Sequence, residues 1–234
     1  MNEPLKDQKA MLKPQKKLSK RELKQDKLVI AWFKATDYLT HHVREILIGL
    51  GALAALIAII VWYNYDTQQK EQEASVLLAH GKSAYESQLY SAAIDSLVKL
   101  VNNHGGTPSA ATGTIYLANA FMQKKEFEFA EKYYKAYLDD YGSDPILSAA
   151  AAAGIAATFD ERGNYAEAAK LYEKTAKDYH NSYRVPELLM HAARCYQLAN
   201  QAEAAHRVLA QLLEKHPKSK FEEDAKMLQA ELRS

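Results

Sequence analysis

The chain has 234 residues, with 30 Lys and Arg against 29 Asp and Glu, a formal charge of +1, and 48% hydrophobic and 25% charged residues. Such a balance gives no electrostatic case for nucleic-acid binding, and a single cysteine, Cys195, excludes an internal disulfide framework. The neutrality is a sum of unlike parts: eleven Lys and Arg lie between Lys6 and Arg44, and the remainder is mildly acidic.

In chain order, residues 1–24 read as a basic, disordered tail. Residues 25–45, in "KQDKLVIAWFKATDYLTHHV", place Leu28, Trp32, Leu39 and Val43 on one side of a helix, with Lys24, Lys27 and Lys34 mostly elsewhere. This is an amphipathic juxtamembrane helix suited to a lipid surface or to a membrane partner's loops. His41 and His42 are adjacent, point about 100° apart on a helix and have no third ligand nearby, so they do not make a metal pair.

Residues 46–65 are about 20 in number and span roughly the 30 Å of a hydrocarbon core at about 1.5 Å per residue. Ten of the seventeen residues from Ile46 to Trp62 are Leu, Ile or Val. Together they favour insertion by about 3 to 6 kcal/mol. Trp62, Tyr63 and Tyr65 close the stretch as an interfacial aromatic belt does. The run also holds Gly49-Leu50-Gly51-Ala52-Leu53-Ala54, close to a dinucleotide-binding loop. That loop needs a strand before it and a soluble helix after it, and the run has no polar face. Bulky "VWYNYD" follows where a cleavage site would need small residues, so the reading is a retained signal anchor. The Lys and Arg excess before the span puts the N-terminus in the cytoplasm and residues 66–234 outside.

The exported part is rich in Ala, Leu, Tyr, Glu and Lys, which points to helices. It also repeats. From Gly81, Ala118, Ala156 and Ala193, a small residue is followed by an aromatic three or four positions on and by an alanine twelve positions on. Those alanines are Ala93, Ala130, Ala168 and Ala205, and four residues after each comes Leu97, Tyr134, Tyr172 or Leu209. This is the tetratricopeptide pattern, in which small residues mark where two helices of a hairpin come closest. The expected fold is all-α: one N-terminal transmembrane helix, an α-solenoid of about four such hairpins, and a C-terminal capping helix. The hairpins are joined through the longer turns "NNHGGTP", "YGSDP" and "YHNSYRVP". The cap, from Ser219, would turn Phe221, Met227, Leu228 and Leu232 inward, with Ser219 and Glu222 spaced as a capping box.

A stack of hairpins presents a concave face lined by its first helices, and such faces bind segments of other proteins. Extrapolating the register, the lining includes Leu78, Lys82, Tyr85, Asn119, Met122, Gln123, Asp160, Glu161, Arg194 and Gln197. Their mixed signs do not form the Lys and Asn cluster that grips a C-terminal carboxylate. No nucleophile elbow, phosphate loop or zinc-protease motif occurs, so the chain reads as non-catalytic and without a cofactor. His191 and Cys195 are one turn apart, but two ligands do not make a metal site.

With the tail "KRELKQDKLVIAWFKATDYL", one signal anchor and exported hairpins, the layout resembles the YfgM-like ancillary subunits of the bacterial Sec translocon. The resemblance implies an inner-membrane protein with a periplasmic domain, whose partners are translocon subunits, periplasmic chaperones and exported clients. The turns "LDDYGSDP" and "EKHPKSKF" also resemble envelope-assembly repeat proteins of the outer membrane. The alternative reading is therefore a self-associating envelope component, homo-oligomeric through Gly51-xxx-Ala55.

Overall fold

The computed structural model describes residues 20–232, with side chains from Lys27 onward except that of Leu28. The expected tail, apart from the backbone of residues 20–24, and the Leu28 contribution to the amphipathic face lie outside the described residues. Ten α-helices and no strand occur among the described residues. They fall into two compact units, residues 1–63 and 64–234.

The first unit holds α1 (Lys20–His41) and the beginning of α2 (Val43–Glu86). His42 separates the two helices, flanked by the bonds His42 N–H to Tyr38 C=O at 3.1 Å and Ile46 N–H to His42 C=O at 3.0 Å. The adjacent histidines go separate ways: His41 Nδ1 meets the Asp37 carbonyl at 2.9 Å and His42 Nδ1 meets Glu45 Oε2 at 2.8 Å. α2 runs unbroken to Glu86, as the lack of Gly or Pro between Asp66 and Gly81 predicts. Among the described residues it is the one helix long and apolar enough to cross a membrane, and none of its apolar window is buried.

In the second unit the end of α2 pairs with α3 (Tyr90–Asn103), followed by α4 (Pro108–Gln123) with α5 (Phe127–Tyr141), α6 (Pro145–Glu161) with α7 (Tyr165–Asp178), and α8 (Val185–Leu198) with α9 (Ala202–Lys215). A last helix, α10 (Glu222–Glu231), packs on α9. These are the four hairpins and the cap. Every position of the repeat pattern falls where the packing argument requires: Gly81, Ala118, Ala156, Ala193 and the four later alanines are buried, as are Leu97, Tyr134, Tyr172 and Leu209. Gly81 shows why the position must be small, because a Cβ there would stand 2.5 Å from the Leu97 side chain. Neighbouring hairpins share core, so each covers the apolar face of the one before it.

The helix starts follow from the turns. Pro108 and Pro145 occupy the first position of α4 and α6, where a missing N–H costs nothing. Thr107 Oγ1 accepts from Ala110 N–H at 3.1 Å, and Asp144 Oδ1 accepts from Ile146 and Leu147 N–H at 2.8 and 3.2 Å. The start of α4 is also tied to α2, since Ser109 donates its hydroxyl and its backbone N–H to the Glu71 carboxylate at 2.6 and 3.2 Å. Within each hairpin the turn carries one residue of positive φ: Gln88, Lys125, Gly163 and Asn200, at 60°, 63°, 77° and 56°.

Two expectations at the cap are corrected. Met227 is 59% exposed, and the inward stripe is Phe221, Ala225, Leu228 and Leu232 at helical spacing. The capping box does not form. α10 begins only at Glu222, whose N–H meets the Ser219 carbonyl at 3.1 Å, which leaves Ser219 in the preceding turn.

Candidate protein-binding groove

α4, α6 and α8 are the first helices of the second, third and fourth hairpins, and they line a concavity of about 490 Å³. Its floor is Ala150, Ala153, Gly154 and Ala157 of α6, at i, i+3, i+4 and i+7, with Ile115 and Leu188 to either side. Above the floor stand Asn119, Tyr134, Tyr172, Arg184, His191, Arg194, Asp160 and Glu161. The floor is small because the aromatic side chains of the second helices reach through to it. A Cβ on Gly154 would overlap the Tyr134 ring, and the Tyr134 hydroxyl passes on to donate to Asn119 Oδ1 at 2.5 Å.

Of the ten residues expected to line the groove, Asn119, Asp160, Glu161 and Arg194 meet in this concavity. The others are placed differently. Leu78 and Met122 are half-buried against the hydrophobic core, and Gln197 is half-buried on α8. Tyr85 packs edge-on against Tyr90 and Tyr116, with centroids at 5.6 and 5.5 Å, and bonds Gln123. Lys82 lies 5.9 Å from the Tyr116 ring and 3.8 Å from Glu86. Ile115, Ala153 and Ala157 were missed although the signal was present, because they occupy the register of Leu78 and Lys82 one or two repeats on. Arg184 was hidden in a turn, where helical register says nothing.

Asp160, Arg184 and Arg194 of the concavity are each ion-paired. Arg194 pairs with Asp160 of the preceding hairpin, and Arg184 Nε reaches Glu187 at 3.0 Å. The same 34-residue step recurs on the second helices, where Arg207 meets Glu173 at 2.5 Å, and at the hairpin turn, where Arg162 meets Glu128 at 3.3 Å. His191 stacks on Tyr172 with centroids 5.2 Å apart, and burial together with the nearby Arg194 holds its pKa below the usual imidazole value. Burial pushes the Tyr134 and Tyr172 phenols well up, so both stay protonated. Cys195 is fully buried in the core and its thiol is pushed up to about 12 by that burial and by Asp160. Among the described residues no group of three or more His, Cys, Asp or Glu is arranged to hold a metal ion. The site offers shape and hydrogen bonding.

The tetratricopeptide repeat-like domain family matches residues 36–185, and the tetratricopeptide repeat matches residues 161–232. The chain belongs to the tetratricopeptide repeat-like domain family. No curated protein matches it. Among solved structures, a tetratricopeptide repeat protein from Parabacteroides merdae is 15% identical with a TM-score of 0.57, covering 69% of this chain and 60% of its own. A MamA protein is 21% identical with a TM-score of 0.53, covering 62% of this chain and 74% of its own. A thermophilic tetratricopeptide repeat protein from Thermus thermophilus is 17% identical with a TM-score of 0.50, covering 80% of this chain and 94% of its own. At these identities the likeness is one of fold. The chain spans less than two thirds of the Parabacteroides protein's length. Tetratricopeptide repeats bind other proteins, and proteins of this fold are generally non-catalytic scaffolds. The repeat domain is accordingly a protein-interaction scaffold.

Proposed function

We propose that this tetratricopeptide protein is a membrane-tethered scaffold of the bacterial inner membrane. Residues 46–65 cross the bilayer, the N-terminus is cytoplasmic, and the repeats hold exported chains beside the Sec translocon together with periplasmic chaperones. The observation that carries the scaffold reading is the concavity of α4, α6 and α8, where the half-buried Ala150 and Ala157 lie among hydrogen-bonding side chains that a peptide or helix could meet. Support for the tether comes from the wholly uncovered apolar stretch of α2, which the family match takes in along with the repeats. The translocon and chaperone partners rest on the resemblance in layout.

The test is to solubilise native membranes in mild detergent, purify the protein by a C-terminal tag and identify what accompanies it by mass spectrometry, with Ala150→Arg as the groove-blocked control. Ala150 is only half-buried, so the larger side chain fills the groove and leaves the core intact. Translocon subunits or chaperones that are recovered with the wild type and lost with Ala150→Arg support the reading. Recovery of the protein alone sinks it in favour of the self-associating envelope component. Orientation is read by Lys218→Cys with an impermeant thiol reagent on spheroplasts, with the buried Cys195 adding little background. Labelling supports export, and protection reverses the topology.

A further inference from the structure

Among the described residues, α1 exposes a run of large apolar groups: Val29, Ile30, Trp32, Phe33, Tyr38 and Leu39 are all about half exposed or more. At 100° per residue, Trp32, Ala35 and Leu39 lie within one quadrant of the helix, with Val29 and Phe33 continuing the same side. Two threonines, Thr36 and Thr40, interrupt this side, and both hydroxyls are already satisfied within the helix. Thr36 Oγ1 donates to the Trp32 and Phe33 carbonyls at 3.0 Å, and Thr40 Oγ1 donates to the Asp37 carbonyl at 2.9 Å. Such a face carries no unpaired hydroxyl into an apolar medium. Lys27 and Lys34 lie on the opposite side, with His41 beside them at 3.5 Å from the Asp37 carboxylate, and Arg44 follows at the start of α2.

We propose that α1 is an interfacial helix. It lies on the bilayer surface with its Trp32–Ala35–Leu39 side in the headgroup and acyl boundary, and its basic side draws it to anionic lipid. The occupant is lipid rather than protein for two reasons. The apolar stretch of α2 follows α1 directly along the chain in the same unit, and the lysines supply the attraction that anionic headgroups offer. α1 ends at His41 and α2 begins at Val43, so the two are separate helices. The inference rests on the membrane-anchor reading.

The two tryptophans of the chain separate this inference from that reading, since Trp32 belongs to α1 and Trp62 to the end of the apolar stretch. The full chain is reconstituted into phosphatidylcholine and phosphatidylglycerol bilayers doped with lipids brominated near the headgroup. Trp62→Phe leaves Trp32 as the reporter, and Trp32→Phe leaves Trp62. The expected result is that both reporters lose most of their emission to brominated lipid, and that Trp32 is shielded from aqueous acrylamide. Quenching of Trp62 by lipid with Trp32 open to acrylamide overturns the interfacial helix and leaves the anchor standing. A failure of lipid to quench either reporter overturns both.

Discussion

Gly154 sets a packing limit in the groove, because a Cβ there would overlap the Tyr134 ring. Gly154→Val should therefore cost about 1–3 kcal/mol by overpacking, read as a lower urea midpoint by circular dichroism. Combining it with Tyr134→Leu should return part of the loss, since the two side chains compete for one space. An additive double variant would show that the contact does not limit packing. Cys195 makes the opposite kind of prediction. A thiol at 0% exposure with its pKa raised to about 12 is neither accessible nor ionised at neutral pH. Thiol reagents should leave the native chain unlabelled and modify it only at denaturant concentrations that unfold it. Rapid labelling in native buffer would contradict the burial. Neither property could be read locally. The glycine's need arises from a tyrosine twenty residues earlier, and the cysteine's inertness arises from the hydrophobic core that encloses it.

At the scale of the helix, the starts of α4 and α6 were legible, whereas the start of α10 and the turns within hairpins were not. Pro108 and Pro145 announce α4 and α6, and the preceding Thr107 and Asp144 supply cap oxygens. Asp144→Ala should cost about 1 kcal/mol through the lost cap on α6, whereas Asp144→Asn should cost much less. Thermal melts of the two variants decide it, and equal losses would mean that the charge rather than the cap matters. By contrast, Gln88 and Lys125 hold positive φ without being glycine, because the packing of each hairpin dictates where its chain must reverse. The capping box at Ser219 failed for a related reason: the turn His216 to Glu222 takes up Ser219 before α10 begins. A spacing of three residues proposes such a box, but the backbone must also enter the helix at that residue for it to form.

The whole domain behaves as a stack in which each hairpin is covered by the next, and α10 closes it. Deleting residues 219–234 removes Ala225 and Leu228 from the apolar face of α9. It should lower stability by about 2–4 kcal/mol, given the area a large apolar side chain buries. It should also broaden the melt, because the last hairpin frays first. A sharp transition at the wild-type midpoint would show that α10 is not a cap.

Read alone, the sequence determined the number of hairpins, the alanines at which their helices meet and the existence of one long apolar stretch. Each of these is a short-range period of small and large side chains, and such periods are written along the chain. Only the tertiary structure decided which groove residues meet. Asp160 and Arg194 could each have offered a charge to a partner, yet they are paired to each other across 34 residues. Ala150, Ala153, Gly154 and Ala157 form a floor only because α4 and α8 stand on either side of α6. Those relations depend on the stacking of successive hairpins, which brings residues more than thirty positions apart into contact and leaves no local mark in the sequence.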